Sequence, residues 1–356
     1  MAKIRYGLVG FGGIAENRIA KEGFACDWSR FAPLKSAVLV GVTDVNPARR
    51  SAAEALGLKW YDSLDQMLAD DSLQAIYVAT NNMTHAKIAT AALKSGRHVI
   101  VEKPMATCVK DAEKVNRLAK RLGLCLSVDH MMVYNAWNQE AKKLVSNGAL
   151  GKVNDSCFHM QFAYGYDPAE AATWRCSKVE ELGGPIGDVA SHCFYVAEEV
   201  FQEKIVKLAA SYYPKTMQIA AEDGAYIKFF LASGRQGSVN VAFSEFRGGF
   251  GGTMCCQGFE IYGDKAVLRS YGTLFQHSGH PDEPFKIRLE LDTFTGKPAA
   301  PVTPKSFRNI YQTLIERHAK AIQAGTPIDA SDGVHNLKLC EAAHRSASNG
   351  GSLETI

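Results

Sequence analysis

The first third of the chain alternates short apolar runs with segments of helical periodicity, and this alternation restricts the fold more than any other feature. The apolar runs are Tyr6–Val9, Val38–Thr43, Ala75–Ala79, His98–Val101 and Leu124–Val128. Strands that are apolar on both faces are typical of a parallel sheet covered by helices on each side. The pattern therefore predicts a doubly wound α/β domain, a Rossmann-type parallel sheet, over residues 1–130.

Beyond residue 130 the chain changes to longer runs in which apolar and polar residues alternate. These runs are Val153–Tyr164, Ile205–Tyr213, Ala225–Leu231, Gly237–Ser244, Gln257–Tyr262 and Ala266–Ser270. Short turns such as Gly263-Asp264 connect some of them, as in antiparallel sheets. We therefore predict a second, α+β domain over residues 131–356, with a large, mainly antiparallel open sheet.

Composition excludes several classes of protein. With 356 residues and a formal net charge of +3, the chain has room for two domains and lacks the charge expected of a nucleic-acid or membrane-surface binder. Its cysteines are scattered, with no CxxC pair, and no apolar run reaches the length of a membrane span. His277 and His280 are better explained by a glycine-rich loop than by a metal pair. We expect no metal site, a cytoplasmic location and a small-molecule partner.

A glycine-rich segment follows the first predicted strand directly and opens the first helix: Gly10-Phe11-Gly12-Gly13-Ile14-Ala15. Gly10 allows a tight turn, Gly12 allows the backbone to approach a pyrophosphate, and the small Ala15 allows close packing of helix and strand. The N-terminus of the helix offers free N–H groups to phosphate. We predict that Gly10, Gly12, Gly13 and Ile14 bind a dinucleotide, with a plain structural turn as the alternative.

Asp44 follows the second apolar run, where a carboxylate can accept hydrogen bonds from the ribose hydroxyls of NAD and repel the 2′-phosphate of NADP. The interval from the glycines to Asp44 is longer than the usual ~20 residues, which indicates an inserted loop near residues 22–31. Arg49 and Arg50 follow closely and keep NADP open as an alternative. NAD is the favoured cofactor.

Three later strings accompany the glycine motif: Ala79-Thr80-Asn81-Asn82 with His85, Val101-Glu102-Lys103-Pro104, and Gly183-Gly184-Pro185-Ile186-Gly187-Asp188 with His192. Together they resemble the glucose–fructose oxidoreductase / inositol dehydrogenase (Gfo/Idh/MocA) family over nearly the whole chain, including the pair Trp174-Arg175. The resemblance implies a Rossmann domain, a substrate domain and a nicotinamide held in the cleft between them. It adds Thr80, Asn81, His85, Glu102 and Lys103 to the expected cofactor-binding residues.

The resemblance also assigns the catalytic residues. His192 is expected to be the general acid/base, since histidine titrates near neutral pH. Asp188 lies four residues earlier on the same helix face and is expected either to bind a substrate hydroxyl or to fix the orientation of the imidazole. Lys103, next to a proline in a bond that the resemblance suggests is cis, is expected to hold the reacting oxygen. Asp188, His192 and Lys103 are also expected to contact substrate, together with Trp174 and Arg175. 

Each residue has a structural alternative when taken alone. His192 is also suited to a buried helix position, Asp188 and His85 to helix caps, Lys103-Pro104 to a turn, and Trp174-Arg175 to interdomain packing.

The chain departs from the family at Tyr195, where many members have aspartate three residues after the histidine. The segment from Asp129 to Tyr134 lacks the arginine that is common there.

The sequence thus predicts an NAD(P)-dependent oxidoreductase that reversibly oxidises a secondary hydroxyl of a sugar, polyol or inositol-like substrate. One alternative is a glycosidase-type enzyme that retains NAD and uses transient oxidation. Another is a non-catalytic regulator that binds a dinucleotide. From the resemblance we further expect a homodimer or homotetramer formed through the C-terminal sheet.

Overall fold

The computed structural model describes residues 2–245, 257–272, 287–306 and 308–356, and it divides the chain into two compact units. The first unit comprises Met1–Met131 and Arg308–Val334, and the second comprises Met132–Phe307 and His335–Ile356. The sequence-based division placed everything after residue 130 in the second domain, whereas residues 308–334 group with the first unit. Met254, Cys255, Cys256, His277 and His280 lie outside the described residues.

The first unit contains the predicted parallel sheet. Its six strands lie in the order β3-β2-β1-β4-β5-β6. The strands are β1 (Ile4–Val9), β2 (Ala37–Thr43), β3 (Lys59–Trp60), β4 (Ala75–Val78), β5 (His98–Val101) and β6 (Leu126–Val128). Every predicted apolar run forms a strand here, and β3 is an additional pair of residues at the edge. The strand order reverses between β1 and β4, and ligands bind at such a reversal in open α/β sheets.

Helices follow most of these strands. A π-helical segment, Ala15–Gly23, follows β1, and a short 3₁₀ turn, Pro47–Arg49, follows β2. The α-helices of this part of the chain are α1 (Arg50–Ala55), α2 (Leu64–Leu68), α3 (Asn82–Lys94) and α4 (Val109–Leu122). Gly123 ends α4 in the left-handed region at φ +67°, as expected for a glycine after a helix.

The second unit contains a nine-stranded sheet in the order β14-β13-β12-β11-β7-β10-β9-β8-β15. The strands are β7 (Val153–Gln161), β8 (Ile205–Tyr212), β9 (Gly224–Leu231), β10 (Gln236–Ala242), β11 (Gln257–Gly263), β12 (Val267–Gly272), β13 (Arg288–Asp292), β14 (Ala300–Pro301) and β15 (Glu354–Thr355). β7 and β10 pair in parallel, and the other neighbours pair antiparallel. The sheet is therefore mixed and mostly antiparallel.

The remaining helices are α5 (Ala136–Ser146), α6 (Pro168–Ala171), α7 (Trp174–Ser177), α8 (Ser191–Phe201), α9 (Ile310–Ala324) and α10 (Ser331–Ser348). A second π-helical segment, Ile186–Ala190, leads directly into α8. Helix α9 packs against β1, β2 and the segment Ala15–Gly23 of the first unit. A hydrogen bond of 2.7 Å between the Tyr6 hydroxyl and Nδ1 of His318 fixes this return of the chain.

Burial alternates along the strands of the large sheet. On β9, Ile227 and Phe229 are buried, whereas Tyr226 and Lys228 are exposed. Because side chains alternate across a strand, the buried residues share one face and the exposed residues share the other. We call the second of these the open face of the sheet.

Candidate active site

The glycine motif forms an open turn at the end of β1. Gly10 has φ +88°, and a Cβ at this position would lie 2.5 Å from the Ala79 carbonyl oxygen, so only glycine fits here. A Cβ on Gly12 or Gly13 would meet nothing within 4 Å, so the backbone beside these residues is accessible. The first N–H groups of a helix have no acceptor within the helix. The turn thus has the shape and the donors that a pyrophosphate requires.

Asp44 lies directly after β2, beside this turn. Its Oδ2 accepts a hydrogen bond of 2.6 Å from the Phe11 N–H, and its Oδ1 accepts one of 2.8 Å from the Asn46 N–H. These bonds fix the carboxylate at the carboxyl edge of the sheet, which is the position expected for a ribose-binding residue.

His85 is buried in α3 and joins two backbone segments. Its Nδ1 lies 2.8 Å from the Pro104 carbonyl oxygen, and its Nε2 lies 3.1 Å from the Thr80 carbonyl oxygen. Burial lowers the pKa of this imidazole, so the neutral form donates to one of the two carbonyls. His85 therefore supports the turns at the ends of β4 and β5.

Thr80 and Asn81 sit on the same strand-end turn. The Thr84 hydroxyl contacts the Thr80 hydroxyl at 2.7 Å and donates to the Asn81 side-chain oxygen at 3.0 Å. Asn81 is the residue that precedes α3. Both side chains are therefore held at the carboxyl edge of the sheet.

Lys103 follows β5, and the Lys103–Pro104 peptide bond is cis. Its neighbour Glu102 adjoins Asp129, which follows β6 and is fully buried. The Tyr77 hydroxyl on β4 donates to Asp129 Oδ2. Burial, and then the adjacent Asp129, raise the pKa of Glu102 well above its usual value. Three neighbouring strands thus end in a cluster of acidic groups, in which the raised pKa of Glu102 favours its protonated form.

In the second unit, glycines bring the segment before α8 into close contact with its surroundings. A Cβ on Gly183 would lie 2.5 Å from the Trp174 carbonyl oxygen, and one on Gly187 would lie 2.2 Å from that of Leu182. The Glu222 carboxylate accepts a 2.9 Å hydrogen bond from the Ile186 N–H. The π-helical segment that follows contains Asp188, and such segments are frequent at functional sites.

Asp188 is buried and pairs with Arg175. The Arg175 Nε donates to Asp188 Oδ2 at 3.0 Å, and the guanidinium carbon lies 5.2 Å from the centre of the Trp174 ring. Asp188 raises the pKa of Arg175, so the pair is ionic. The structure thereby brings Trp174 and Arg175 together with the predicted catalytic aspartate.

His192 lies on α8, one helical turn after Asp188, and is almost fully buried. Its Nδ1 is 2.5 Å from the Tyr195 hydroxyl, and the two rings meet edge to face with centres 5.4 Å apart. A phenol can accept a hydrogen bond from Nδ1–H. Either group can be the donor in this bond, and the tautomer with the proton on Nδ1 leaves the Nε2 lone pair suited to act as a base.

A cavity lies beside His192 within the second unit. It is formed by α5, α8 and the sheet face that packs against α8, and its polar lining residues include Asn138, His159 and Gln257. Cys193 and Phe158 contribute apolar surface. The buried histidine therefore has space beside it.

No group of three or more His, Cys, Asp or Glu side chains among the described residues is arranged to hold a metal ion. None of the helices that the structure describes combines the length and apolar character that crossing a membrane requires.

Family profiles match both units. Residues 4–130 match the family described as "Oxidoreductase family, NAD-binding Rossmann fold", and residues 138–269 match the "GFO/IDH/MocA C-terminal domain". The chain belongs to the Gfo/Idh/MocA oxidoreductase family. The fold class expected from the sequence is confirmed, and the first unit is an NAD-binding Rossmann domain.

Several relatives of this Gfo/Idh/MocA chain are named for sugar or inositol substrates. The 1,5-anhydro-D-fructose reductase of Ensifer adhaerens is 26% identical over 314 residues, 86% of this chain and 88% of the relative. A scyllo-inositol 2-dehydrogenase (NADP(+)) of Bacillus subtilis (strain 168) is 25% identical over 297 residues, 80% of this chain and 79% of the relative. A structure of levoglucosan dehydrogenase with NADH and levoglucosan has a TM-score of 0.81 at 20% identity, with 100% of both chains covered.

Sequence reasoning missed several residues that lie in the candidate site of this Gfo/Idh/MocA chain. The partner of His192 was identified only as a departure from the family, and the acid cluster of Tyr77 and Asp129 was not identified at all. Their only sequence signal is that polar residues stand at or beside the ends of apolar strands or helices. Glu222 is distant from Ile186 in sequence, so no local pattern indicates this contact.

Proposed function

We propose that this chain catalyses the reversible, NAD-dependent oxidation of a secondary hydroxyl on a sugar, polyol or inositol-like substrate. The observation that carries the proposal is the buried His192–Tyr195 hydrogen bond, one turn from the Asp188–Arg175 ion pair, in a chain with an NAD-binding domain. Bound nicotinamide supplies a hydride acceptor or donor. The residues of the chain must then bind the alcohol and take its proton.

His192 is the proposed general base in the direction of oxidation. In the tautomer proposed here Nδ1–H donates to the Tyr195 hydroxyl and Nε2 takes the substrate hydroxyl proton, and the resulting imidazolium returns a proton in the reverse direction. Asp188, aligned by Arg175, is proposed to accept a hydrogen bond from a substrate hydroxyl. Lys103 is proposed to donate to the reacting oxygen and to stabilise the developing negative charge.

Two features support a hydroxyl-rich substrate. The Arg175 guanidinium lies over the Trp174 ring, so an aromatic side chain and hydrogen-bond donors stand together, a combination that suits a sugar. The named relatives act on an anhydrosugar, an inositol and levoglucosan.

The fixed Asp44 carboxylate favours NAD over NADP, because it accepts hydrogen bonds from ribose hydroxyls and repels a 2′-phosphate.

The open face of the nine-stranded sheet supports a homodimer or homotetramer. Tyr226 on this face is 55% exposed, and the neighbouring Phe230 and Tyr213 add apolar surface. A face of this character is stabilised when a second copy covers it.

The cytoplasm is the proposed location, on the basis of the scattered cysteines alone.

The test follows nicotinamide absorbance while the purified protein meets sugars, polyols, inositols and sugar acids with NAD or NADP. Turnover is expected with at least one of these compounds and should fall by roughly 10²-fold or more in His192→Ala, because a general base contributes about that much. Lys103→Ala should also lower kcat. His344→Ala is the matched control, since His344 bonds Tyr212 at 2.9 Å and has no proposed role in the reaction.

Three results would count against the proposal. Unchanged turnover in His192→Ala would remove the assigned base. A protein that carries NAD but never shows net turnover would instead fit the glycosidase-type alternative. A protein that binds no dinucleotide would contradict the cofactor role of the first unit.

A further inference from the structure

An arginine lies beside the proposed ribose-binding carboxylate. The Phe11 N–H donates to Asp44, and the Phe11 carbonyl oxygen accepts a 2.7 Å hydrogen bond from Arg49 Nε. The Arg49 guanidinium carbon also lies 5.7 Å from the centre of the Phe11 ring. One residue of the glycine turn therefore contacts both the carboxylate and the cation.

The charge of Arg49 is balanced by Glu16 on the helix that follows the glycine turn. Arg49 Nη2 donates to Glu16 Oε2, and Lys21 Nζ donates to Glu16 Oε1 at 2.6 Å. The side chains of Glu16 and Arg49 are 18% and 31% exposed, so water screens this pair less than a fully exposed one. Hydrogen bonds from Lys21 and then Arg49 lower the pKa of Glu16, which keeps it ionised.

A cation in this place is what a 2′-phosphate requires. Proteins that bind NADP use an arginine near the end of the second strand to accommodate that phosphate. Arginine binds phosphate through parallel N–H donors. Here, however, Arg49 Nε is occupied by Phe11 and Nη2 by Glu16. The arginine is thus present but directed toward a carboxylate of the chain.

We propose that Glu16 is a cofactor-specificity residue, which holds Arg49 away from the 2′ position and so reinforces the preference for NAD. This role rests on the proposed function, because it concerns the same dinucleotide site. Asp44 repels the 2′-phosphate, and Glu16 keeps the Arg49 guanidinium from neutralising the charge of that phosphate. The two carboxylates therefore act on the same choice by different means.

The experiment measures the Kd values of NAD and NADP by titration calorimetry, with no sugar present. Glu16→Gln keeps the shape of the side chain and removes its charge. The ratio Kd(NADP)/Kd(NAD) is expected to fall roughly tenfold, the effect of about one charge-assisted hydrogen bond. Asp44 remains, so NAD is still expected to bind more tightly. Glu16→Asp, which keeps the charge but withdraws it from Arg49, should give a smaller shift in the same direction.

A double-mutant cycle separates this role from a general charge effect. If Glu16 acts through Arg49, Glu16→Gln should leave the ratio unchanged in an Arg49→Gln background. Glu113→Gln is the matched control, because Glu113 pairs with Arg117 at 3.4 Å on α4, and it should not change the ratio. Thermal melting of each variant checks that it is folded.

Each other outcome would overturn the role of Glu16. An equal shift in the Arg49→Gln background would show that only net charge matters. Unchanged ratios in both Glu16 variants, with NAD still bound, would reject this inference and leave the proposed function intact. Failure of the unaltered protein to bind either dinucleotide would instead reject the proposed function, and the specificity role with it.

Discussion

Tyr195 occupies the position where many Gfo/Idh/MocA members have aspartate, and it contacts the proposed base directly. Its hydroxyl is 2.5 Å from His192 Nδ1, and both side chains are buried. A neutral phenol fixes the orientation of the ring without placing a negative charge beside it. At this departure from the family, the Tyr195 hydroxyl therefore holds the imidazole in place.

Tyr195→Phe tests this positioning role. Removing the hydroxyl frees the ring of His192 to rotate, so kcat is expected to fall roughly tenfold or more while the KM for NAD stays unchanged. The loss of one buried hydrogen bond should lower the free energy of unfolding by about 1 kcal/mol. Steady-state kinetics and denaturant titration measure the two effects. Tyr213→Phe, which removes hydroxyl contacts with Gln161 at 3.4 Å and with Tyr226, away from His192, is the control. An unchanged kcat would contradict the role.

Three neighbouring strands of the first unit end at one cluster of acidic groups, so the cluster is a property of the sheet and not of a single residue. Tyr77 on β4, Glu102 after β5 and Asp129 after β6 meet because neighbouring parallel strands end at the same edge. Burial also raises the pKa of Asp129, and the Tyr77 hydrogen bond offsets that effect. Two adjacent carboxyls cannot both ionise at little cost, and the raised pKa of Glu102 favours the proton on that residue.

This cluster makes the stability of the protein depend on pH. The native state keeps the Glu102 proton above the usual pKa of 4.5, whereas the unfolded state loses it there. The stabilisation is therefore complete below pH 4.5 and is lost as pH rises toward the folded pKa. Glu102→Gln replaces the protonated carboxyl with an uncharged donor. As the pH rises from about 5 to about 8, the free energy of unfolding should therefore fall less for the variant than for the unaltered protein.

Denaturant unfolding at several pH values measures this difference. Glu113→Gln is the control, since Glu113 lies on the surface of α4 and pairs with Arg117 at 3.4 Å. The control should follow the pH dependence of the unaltered protein. If Glu102→Gln did so as well, Glu102 would not carry the proton in the native state.

At the scale of the whole molecule, the large sheet is the feature that local interactions do not explain. One face carries the core of the second unit, whereas the open face carries Tyr226, Lys228 and Phe230 on β9. β7 and β10 pair in parallel across a long stretch of sequence, so the sheet is completed only when distant segments meet. If no partner covers this face, its apolar side chains remain in contact with water, which is unfavourable.

Tyr226→Glu tests whether the open face joins copies of the chain. A charge at the centre of a covered apolar face would remain buried without a partner, so the oligomer is expected to dissociate, with the apparent mass falling to that of the monomer. Light scattering coupled to size-exclusion chromatography measures the mass. Leu353→Glu, at another exposed apolar residue near the C-terminus, is the control. A monomer before mutation, or an oligomer that survives it, would contradict this proposal.

Sequence alone determined the features that depend on local chemistry. The apolar runs specified the parallel strands, because a strand buried on both faces has no polar alternation. Gly10 was recognisable because a left-handed turn needs glycine, and Asp44 because it directly follows a strand. The cis Lys103–Pro104 bond followed from the resemblance and is present.

Only the tertiary structure decided which polar groups meet. The return of α9 to the first unit, the Glu16–Arg49 pair and the Tyr77–Asp129–Glu102 cluster each join residues that are far apart in sequence. Sequence periodicity reports which face of an element is apolar, but it does not report which other element covers that face. Hydrogen bonds and ion pairs form across those contacts, so their partners become known only when the elements are packed.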